Sequence, residues 1–432
     1  MISKTKLVNT LFLLGFPCYG IGTYMSFKGN YSVGVISAVS PFILILLFYF
    51  VDLIYRGRIQ PMVNRVYWMG MAFIASLMFS MWVAYSKHLV GLNPINTTSQ
   101  CIMFLVPFNA AVVVHVYNRA NDDFDFSKLI FNGLSLLIGV NVLGYAAGLR
   151  NLVHGFPGRI NMPFMGGIYD ASHLMSILCI MLLFYIRDFT RKPFQFFLFA
   201  GFYMVNMYVM MNINSRLSMI IFFVMTLLFI TKAIRTLRGL YAISLFTMPL
   251  MMSFTQLIYI ILTQPFFVAI VHRVSKEDVT TFNGRTHIWE RIAKWAFEDR
   301  RGIVFGNGYH GQYTFHMLDF VSKKWSGHGS ATLHLHSTFL ETLMDQGLVG
   351  LFLLYGLFWY GYTYYRNQYL TNSQLAPLFG ALVYLMFIWQ IDIFCYGTDI
   401  GYPIVFCLLS AVAIDPKYIT RRQRDLNGAF LP

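Results

Sequence analysis

The sequence predicts an all-α integral membrane protein, a polytopic bundle of about 12 transmembrane helices with one large polar loop that contains an amphipathic helix. Three observations predict it. The 432-residue chain is 57% hydrophobic, and only 12% of its residues are charged, about half of the ~25% found in ordinary soluble chains. Its mean hydropathy is +0.58. Its apolar residues fall in stretches of membrane-spanning length, with basic clusters between them. No water-soluble core of this size hides that much apolar surface, whereas a bilayer solvates it directly.

A helix needs about 20 apolar residues to cross the ~30 Å hydrocarbon layer. Twelve stretches qualify: 7–27, 31–55, 66–86, 99–118, 129–149, 171–186, 193–213, 216–231, 239–263, 337–365, 374–396 and 400–415. The tenth contains Glu341, Asp345 and Gly347, so its span either fills 337–365 or begins only near Gly347, leaving 337–346 as a short helix at the membrane surface. The first stretch follows a basic start (Lys4, Lys6) without a small-residue cleavage site, which reads as an uncleaved first helix. The chain therefore divides into helices 1–9 over 1–263, a large loop at 264–336, helices 10–12 over 337–415 and a basic tail at 416–432.

Charge sets the expected orientation. Eighteen lysines and arginines, Lys4, Arg56, Arg187, Arg235, Arg366 and Arg422 among them, fall on one set of loops; the short loops of the other set carry five (Lys28, Lys87, Arg150, Arg159 and Arg216). Basic loops stay in the cytoplasm, so both termini are expected there and the 264–336 loop outside. The net charge of +14 is spread over these clusters rather than forming one patch, so nucleic acid is not an expected partner. The five cysteines form no CxxC pair and indicate neither a disulfide framework nor a zinc site. Walker A, GxSxG and HExxH motifs are absent, and no cofactor is expected. Asp123-Phe-Asp125 imitates a metal-binding DxD but falls on the cytoplasmic side, as a solvated loop.

The candidate chemistry lies on the outer side. Arg216 opens the eighth span in Asn212-Ile-Asn-Ser-Arg-Leu-Ser218, where it either snorkels to lipid phosphates or serves a site. In 285–300, Ile288, Trp289, Ile292, Trp295 and Ala296 recur at helical spacing, and Gly302, Gly306, Gly308 and Gly311 then mark a turn-rich loop. Arg285 begins that amphipathic helix after Thr280-Thr-Phe-Asn-Gly284. A cation at a helix start meets an unfavourable dipole unless an anion joins it, so Arg285 marks either an anion site or an ordinary surface. His334 and His336 precede the tenth span. A histidine there is a proton acceptor or a structural hydrogen bonder; carboxylates at metal-ligand spacing are lacking nearby.

Four segments in order resemble the O-antigen polymerase and O-antigen ligase superfamily of bacterial polytopic membrane glycosyltransferases. They are Gly158-Arg-Ile-Asn-Met-Pro-Phe-Met-Gly-Gly-Ile-Tyr-Asp-Ala171; Asn214-Ser-Arg-Leu-Ser218; Gly284-Arg-Thr-His-Ile-Trp289 with Phe305-Gly-Asn-Gly308; and His336-Ser-Thr-Phe-Leu-Glu341 with Gly347-Leu-Val-Gly350. Ser337 stands where the family more often has Asn, and Gly167 to Asp170 lacks the family's Pro-Asn pair. The resemblance implies an enzyme of the bacterial inner membrane, acting at a periplasmic site. It implies metal-independent transfer of a glycan from polyprenyl diphosphate, in which Arg216 and Arg285 grip the diphosphate, with Arg159 as a third contact, and His336 activates the acceptor hydroxyl. His334 and Glu341 would support the site, and Trp289, Trp295 and Tyr309 would either stack on sugars or pack on helices. Gly284-Arg-Thr-His-Ile-Trp289 and Met344-Asp-Gln-Gly347 look more like repeat-unit polymerases than ligases. The implied partners are the lipid-linked oligosaccharide, membrane lipid and a chain-length regulator. A lipid-linked sugar flippase is the rival reading; it would place polar residues at mid-membrane, where only His115 and Asp392 are candidates.

Overall fold

Ten of the twelve apolar stretches form helices in the computed structural model, which describes residues 3–56, 63–87, 94–119, 121, 123–151, 159–190, 193–213, 215–265, 268, 284–314, 316, 318–319, 323, 334–394 and 403–414. They are α1 (Lys4–Phe27), α2 (Tyr31–Arg56), α3 (Arg65–Ser86), α4 (Pro94–Asn118), α5 (Phe126–Ala146), α6 (Ile168–Thr190), α7 (Pro193–Ile213), α8 (Arg216–Ile230), α15 (Thr338–Leu370) and α16 (Ala376–Ile391). Among the described residues, seven helices are long and apolar enough to cross a membrane, and the apolar parts of α6, α8 and α16 are shorter. Ile54, Trp68, Leu143, Phe197, Tyr208 and Phe352 stand exposed on the helix exteriors. Such a surface aggregates in water and is the ordinary lipid-facing coat of a bundle in a bilayer. The protein is an all-α, multi-pass membrane protein.

Three expected spans are not continuous, the tenth among them. The stretch 239–263 is three short helices in tandem, α9 (Leu240–Leu245), α10 (Thr247–Ser253) and α11 (Thr255–Leu262). Pro249 has no N–H for the Leu245 carbonyl and crowds it, so the ladder breaks at Phe246. Ser253 Oγ donates back to the Pro249 carbonyl at 2.8 Å just before the second break, a bond that bends helices. The last stretch is a 3₁₀ turn, Pro403–Leu409, followed by α17 (Ser410–Ala413). Between these stretches, the loop contains α12 (Arg285–Glu298), α13 (Arg300–Phe305) and α14 (Gly311–Thr314). Gly302, expected in a turn, is buried inside α13, because Asp299 Oδ1 accepts the Gly302 N–H at 2.8 Å and caps a new helix.

The helices alternate in direction, and contacts at each end of the bundle agree with that alternation. At the end where α1 starts, Lys4 Nζ lies 2.5 Å from Asp52 at the close of α2. Asn9 pairs with Asn118 at the close of α4. Arg235 donates to Asn372 at 3.1 Å. Asp125 caps α5 there by accepting the Lys128 N–H, so the DxD-like segment is a helix start. At the opposite end, Lys87 after α3 donates to the Asn307 carbonyl at 3.0 Å, and the Ile160 N–H bonds the Asn212 carbonyl at 3.1 Å. Arg159, Arg216, Arg285, His334 and His336 all belong to this second end.

The tenth span is two helices. Gly347 has φ 68° and ψ −164° inside α15, and the rings of Phe339 and Tyr355 approach to 5.8 Å. A straight helix would hold residues sixteen apart at about 24 Å. The arms 338–346 and 348–370 therefore fold into a V, and the spanning helix begins at Gly347. The loop of α13 locks the vertex: Asn307 N–H donates to the Met344 carbonyl at 2.7 Å and Gly308 N–H to the Asp345 carbonyl at 3.2 Å. A Cβ on Gly306 (φ 77°) would strike the Asp345 carbonyl, and one on Gly347 would strike the Val304 carbonyl and the Gly306 nitrogen. Gly347→Ala is thus expected to cost at least about 1–3 kcal/mol from left-handed backbone strain alone. A lowered melting temperature of the detergent-solubilised protein checks this, and an unchanged one would show that the V opens freely.

Candidate active site

The site forms where two short helices stop. α8 has 15 residues and α16 has 16, about 22–24 Å at ~1.5 Å per residue, against a core of ~30 Å. Their other ends meet the basic turns around Lys232, Arg235 and Arg366. With those turns at one boundary, the far ends stop inside the hydrocarbon thickness. Irregular backbone survives at that depth only when protein or a water-filled cavity surrounds it. Ser215, Ser218 and Asp392 are accordingly buried.

Asp392, the first residue after α16, organises the site. Its carboxylate lies 3.4 Å from Arg285 Nη2 and 3.4 Å from His173 Nε2. Arg285 Nη1 donates to the Ile391 carbonyl at 2.6 Å, a cation on the negative end of a helix dipole. The anion that Arg285 requires at the start of α12 is thus a side chain of the protein. Gly284, with φ 84°, makes the tight entry. On α6, His173 Nδ1 is 3.0 Å from Tyr384 Oη, and its neighbour Ser172 hydrogen-bonds Ser218 in the first turn of α8. Asp392 therefore links Arg285 to α6, and α6 links it to the turn that carries Arg216. The placement of Asp392 at the end of α16 corrects its expected place as a mid-membrane charge: it lies at the face where α15 begins, since Thr338 N–H donates to its carbonyl at 3.1 Å.

The histidine segment docks on the same helix end. His336 has φ 50°, a left-handed conformation that a non-glycine residue holds only when its surroundings impose it. Bonds on both sides impose it here. Glu341 Oε1 accepts the Leu335 N–H at 2.7 Å, and Trp289 Nε1 donates to the Leu335 carbonyl at 3.2 Å. Ser337 Oγ accepts the Leu340 N–H at 3.3 Å and donates to the Trp389 carbonyl at 3.4 Å. His334 and His336 stand ring to ring at 6.3 Å, nearly perpendicular. Burial, then the Arg285 guanidinium, push the His336 pKa down to about 3, opposed by Asp392. The half-buried His336 imidazole is therefore held in its neutral form at physiological pH.

The structure thus brings Arg285, His334, His336 and Glu341 to one place and sets the Arg159 and Arg216 turns beside it; the Arg216 side chain lies outside the described residues. Two expectations need correction. Trp289 and Tyr309 are both buried. Trp289 holds the histidine segment, and Tyr309 is pinned by its N–H to the Ser80 carbonyl at 3.0 Å, its ring against His310 at 4.0 Å. Neither ring, 5% and 1% exposed, offers an open face to a sugar. Glu341, fully buried, acts through the Leu335 N–H and through Gln312, 3.3 Å away, rather than by standing at the surface. The sequence did not point to His173; its one signal is an ionisable ring within an apolar helix.

The structure thus sets a buried arginine–carboxylate pair beside a histidine at one end of a multi-pass membrane bundle. Residues 199–355 match the family model described as O-antigen ligase, which supports the O-antigen polymerase and ligase superfamily and a membrane enzyme of O-antigen or polysaccharide assembly. The match includes Arg216, Arg285, Trp289, Tyr309, His334, His336 and Glu341; Arg159, His173 and Asp392 lie outside it. No curated protein matches the chain.

Two outcomes follow from this geometry. Asp392→Ala leaves a buried guanidinium without its carboxylate and is expected to cost about 3–5 kcal/mol; wild-type thermal stability for that variant would mean the pair is open to solvent. The second concerns pH. Unfolded, the His336 imidazole takes a proton near pH 6.5, and folded, only near pH 3. Between those values the unfolded chain binds more protons, so stability falls as pH falls. Melting temperatures of wild type and His336→Gln, read from pH 7 to 4, should diverge, with the shallower slope in the variant; parallel curves would show an imidazole that titrates normally.

Proposed function

We propose that the chain is a metal-independent glycosyltransferase of the bacterial inner membrane, acting at its periplasmic face on a glycan carried by polyprenyl diphosphate. The observation that carries this reading is the meeting of Arg285 and His336 on the Ile391–Asp392 helix end. The basic loops at the opposite end support a periplasmic site and cytoplasmic termini.

In this mechanism neutral His336 takes the proton of an acceptor sugar hydroxyl. The hydroxyl oxygen attacks the anomeric carbon, the bond from that carbon to the diphosphate breaks, and the electron pair leaves with the diphosphate. Arg285 and Arg216, with Arg159, meet the negative charge that grows there. His334 and Glu341 set the histidine segment. The acceptor favoured by the sequence motifs is another lipid-linked repeat unit, which makes the enzyme a polymerase, with a chain-length regulator as partner. The second reading is a ligase that passes the glycan to lipid A core.

Arg216→Ala, Arg285→Ala and His336→Ala are each expected to lower transfer by about 10²-fold or more while the protein still inserts. Reconstituted wild type given lipid-linked repeats alone should build long ladders. Product only after lipid A core is added selects the ligase, and wild-type ladders from any of the three variants would remove these residues from the mechanism.

A further inference from the structure

The end of the bundle away from the candidate active site carries two arginines that the proposed reaction does not use. The 3₁₀ turn Ala233–Arg235 follows α8 and meets the close of α15. Arg366 Nη2 donates to the Arg235 carbonyl at 3.4 Å. Arg235 Nη2 donates to Asn372 Oδ1 at 3.1 Å, and its guanidinium lies over the Tyr369 ring, 5.6 Å from the centroid. Asn372 makes the turn out of α15 with φ 54°, a left-handed conformation that asparagine tolerates. A carbonyl, an amide and a ring, all uncharged, thus draw two guanidinium groups to one turn.

Among the described residues, neither arginine lies within ion-pair distance of a carboxylate, and Arg366 Nε is buried without a hydrogen-bond partner. A buried donor left unpaired is costly, and like charges at one turn repel. The charge bias of cytoplasmic loops asks only for basic residues; it does not require them to converge on a helix end. Nor is unpaired charge the rule at this face, because Lys4 is neutralised by Asp52.

The surroundings match a phospholipid in order. Leu227 and Ile230 in the last turn of α8, and Leu370 in the last turn of α15, are exposed. The Phe229 and Tyr369 rings, 5.8 Å apart, join the two helix ends. Apolar side chains therefore flank the arginines on the membrane side, where acyl chains run, and the guanidinium groups stand at the boundary, where phosphates lie.

We propose that Arg235 and Arg366 bind the phosphate of an acidic phospholipid in the leaflet at this end of the bundle. Arg366 Nε and the remaining N–H groups of both forks are the donors, a geometry suited to phosphate oxygens. A headgroup with net negative charge offsets the two cations, whereas a zwitterionic one brings an ammonium that competes with them. Inorganic phosphate offers the same oxygens without chains. The inference does not depend on the glycosyl-transfer reading.

Native mass spectrometry of the full-length protein in detergent, given equal phosphatidylglycerol and phosphatidylcholine, reads the preference. Wild type should retain phosphatidylglycerol, and the double variant Arg235→Gln/Arg366→Gln should retain it about tenfold less or weaker still. Lys6→Gln/Lys128→Gln removes the same charge from exposed positions at the same end and should behave as wild type; an equal loss there would reveal diffuse attraction and overturn the site. Should the arginine variant fail to fold, wild type alone decides. Phosphatidylglycerol should raise its melting temperature more than phosphatidylcholine does, and equal shifts overturn the proposal. Inorganic phosphate should not displace the retained lipid; displacement would make this a site for a small anion and overturn the lipid as its ligand.

Discussion

A carboxylate at membrane depth must be paired, and Asp392 is the buried charge around which the site is assembled. Removing an ion from water costs several kcal/mol, so its partners are part of the fold. Arg285 comes from the loop and His173 from α6, two regions more than a hundred residues apart. The same requirement explains why α12 starts where it does. Arg285 at its first position would oppose the helix dipole alone, but with Asp392 beside it and the Ile391 carbonyl accepting its Nη1, the cation completes the end of α16. One ion pair thus ends one helix and begins another.

Helix length sets the depth of this arrangement, and Gly347 sets its shape. Because α8 and α16 are short, their ends leave room below the surface for polar groups. The V of α15 fills that room with its first arm, which carries Ser337, Glu341 and Asp345 inward. A straight helix in the same place would lift these residues away from α16 and leave the Ile391–Asp392 end uncovered. Gly306 and Gly347 meet backbone to backbone, so the two glycine motifs of the sequence are the two sides of one contact.

Much of this was legible in the sequence, for definite reasons. Hydropathy located the helices because lipid imposes a length and forbids exposed backbone. Glu341, Asp345 and Gly347 showed that the tenth span was irregular because charges do not sit facing lipid. The apolar spacing of 285–300 gave α12 nearly to the residue. What escaped reading depends on distance along the chain. The pairing of Asp392 with Arg285 and His173 has no local signature, and the same residue reads equally well as a mid-membrane charge until α16 is seen to stop at Ile391. For Trp289 and Tyr309 the sequence left stacking on sugars and packing on helices both open; only the fold shows the two rings buried and Trp289 turned onto the histidine segment. The breaks at Phe246 and Phe254 escaped the reading of 239–263 as one span, because hydropathy does not register the ladder that Pro249 interrupts.

The ion pair also bears on how charge is used. Arg285 carries its own counter-ion, so the pair is nearly neutral, and in the proposed reaction a diphosphate would compete with Asp392 for the guanidinium. A site built to bind an anion tightly would omit the carboxylate. A site built to respond to charge as it develops gains from keeping it, because the guanidinium is held in a fixed orientation and its attraction grows as the leaving group becomes more negative. Such a design weakens the hold of charge alone on the ground state. In the proposed reaction, retention of the donor would then fall to contacts away from the reacting bond.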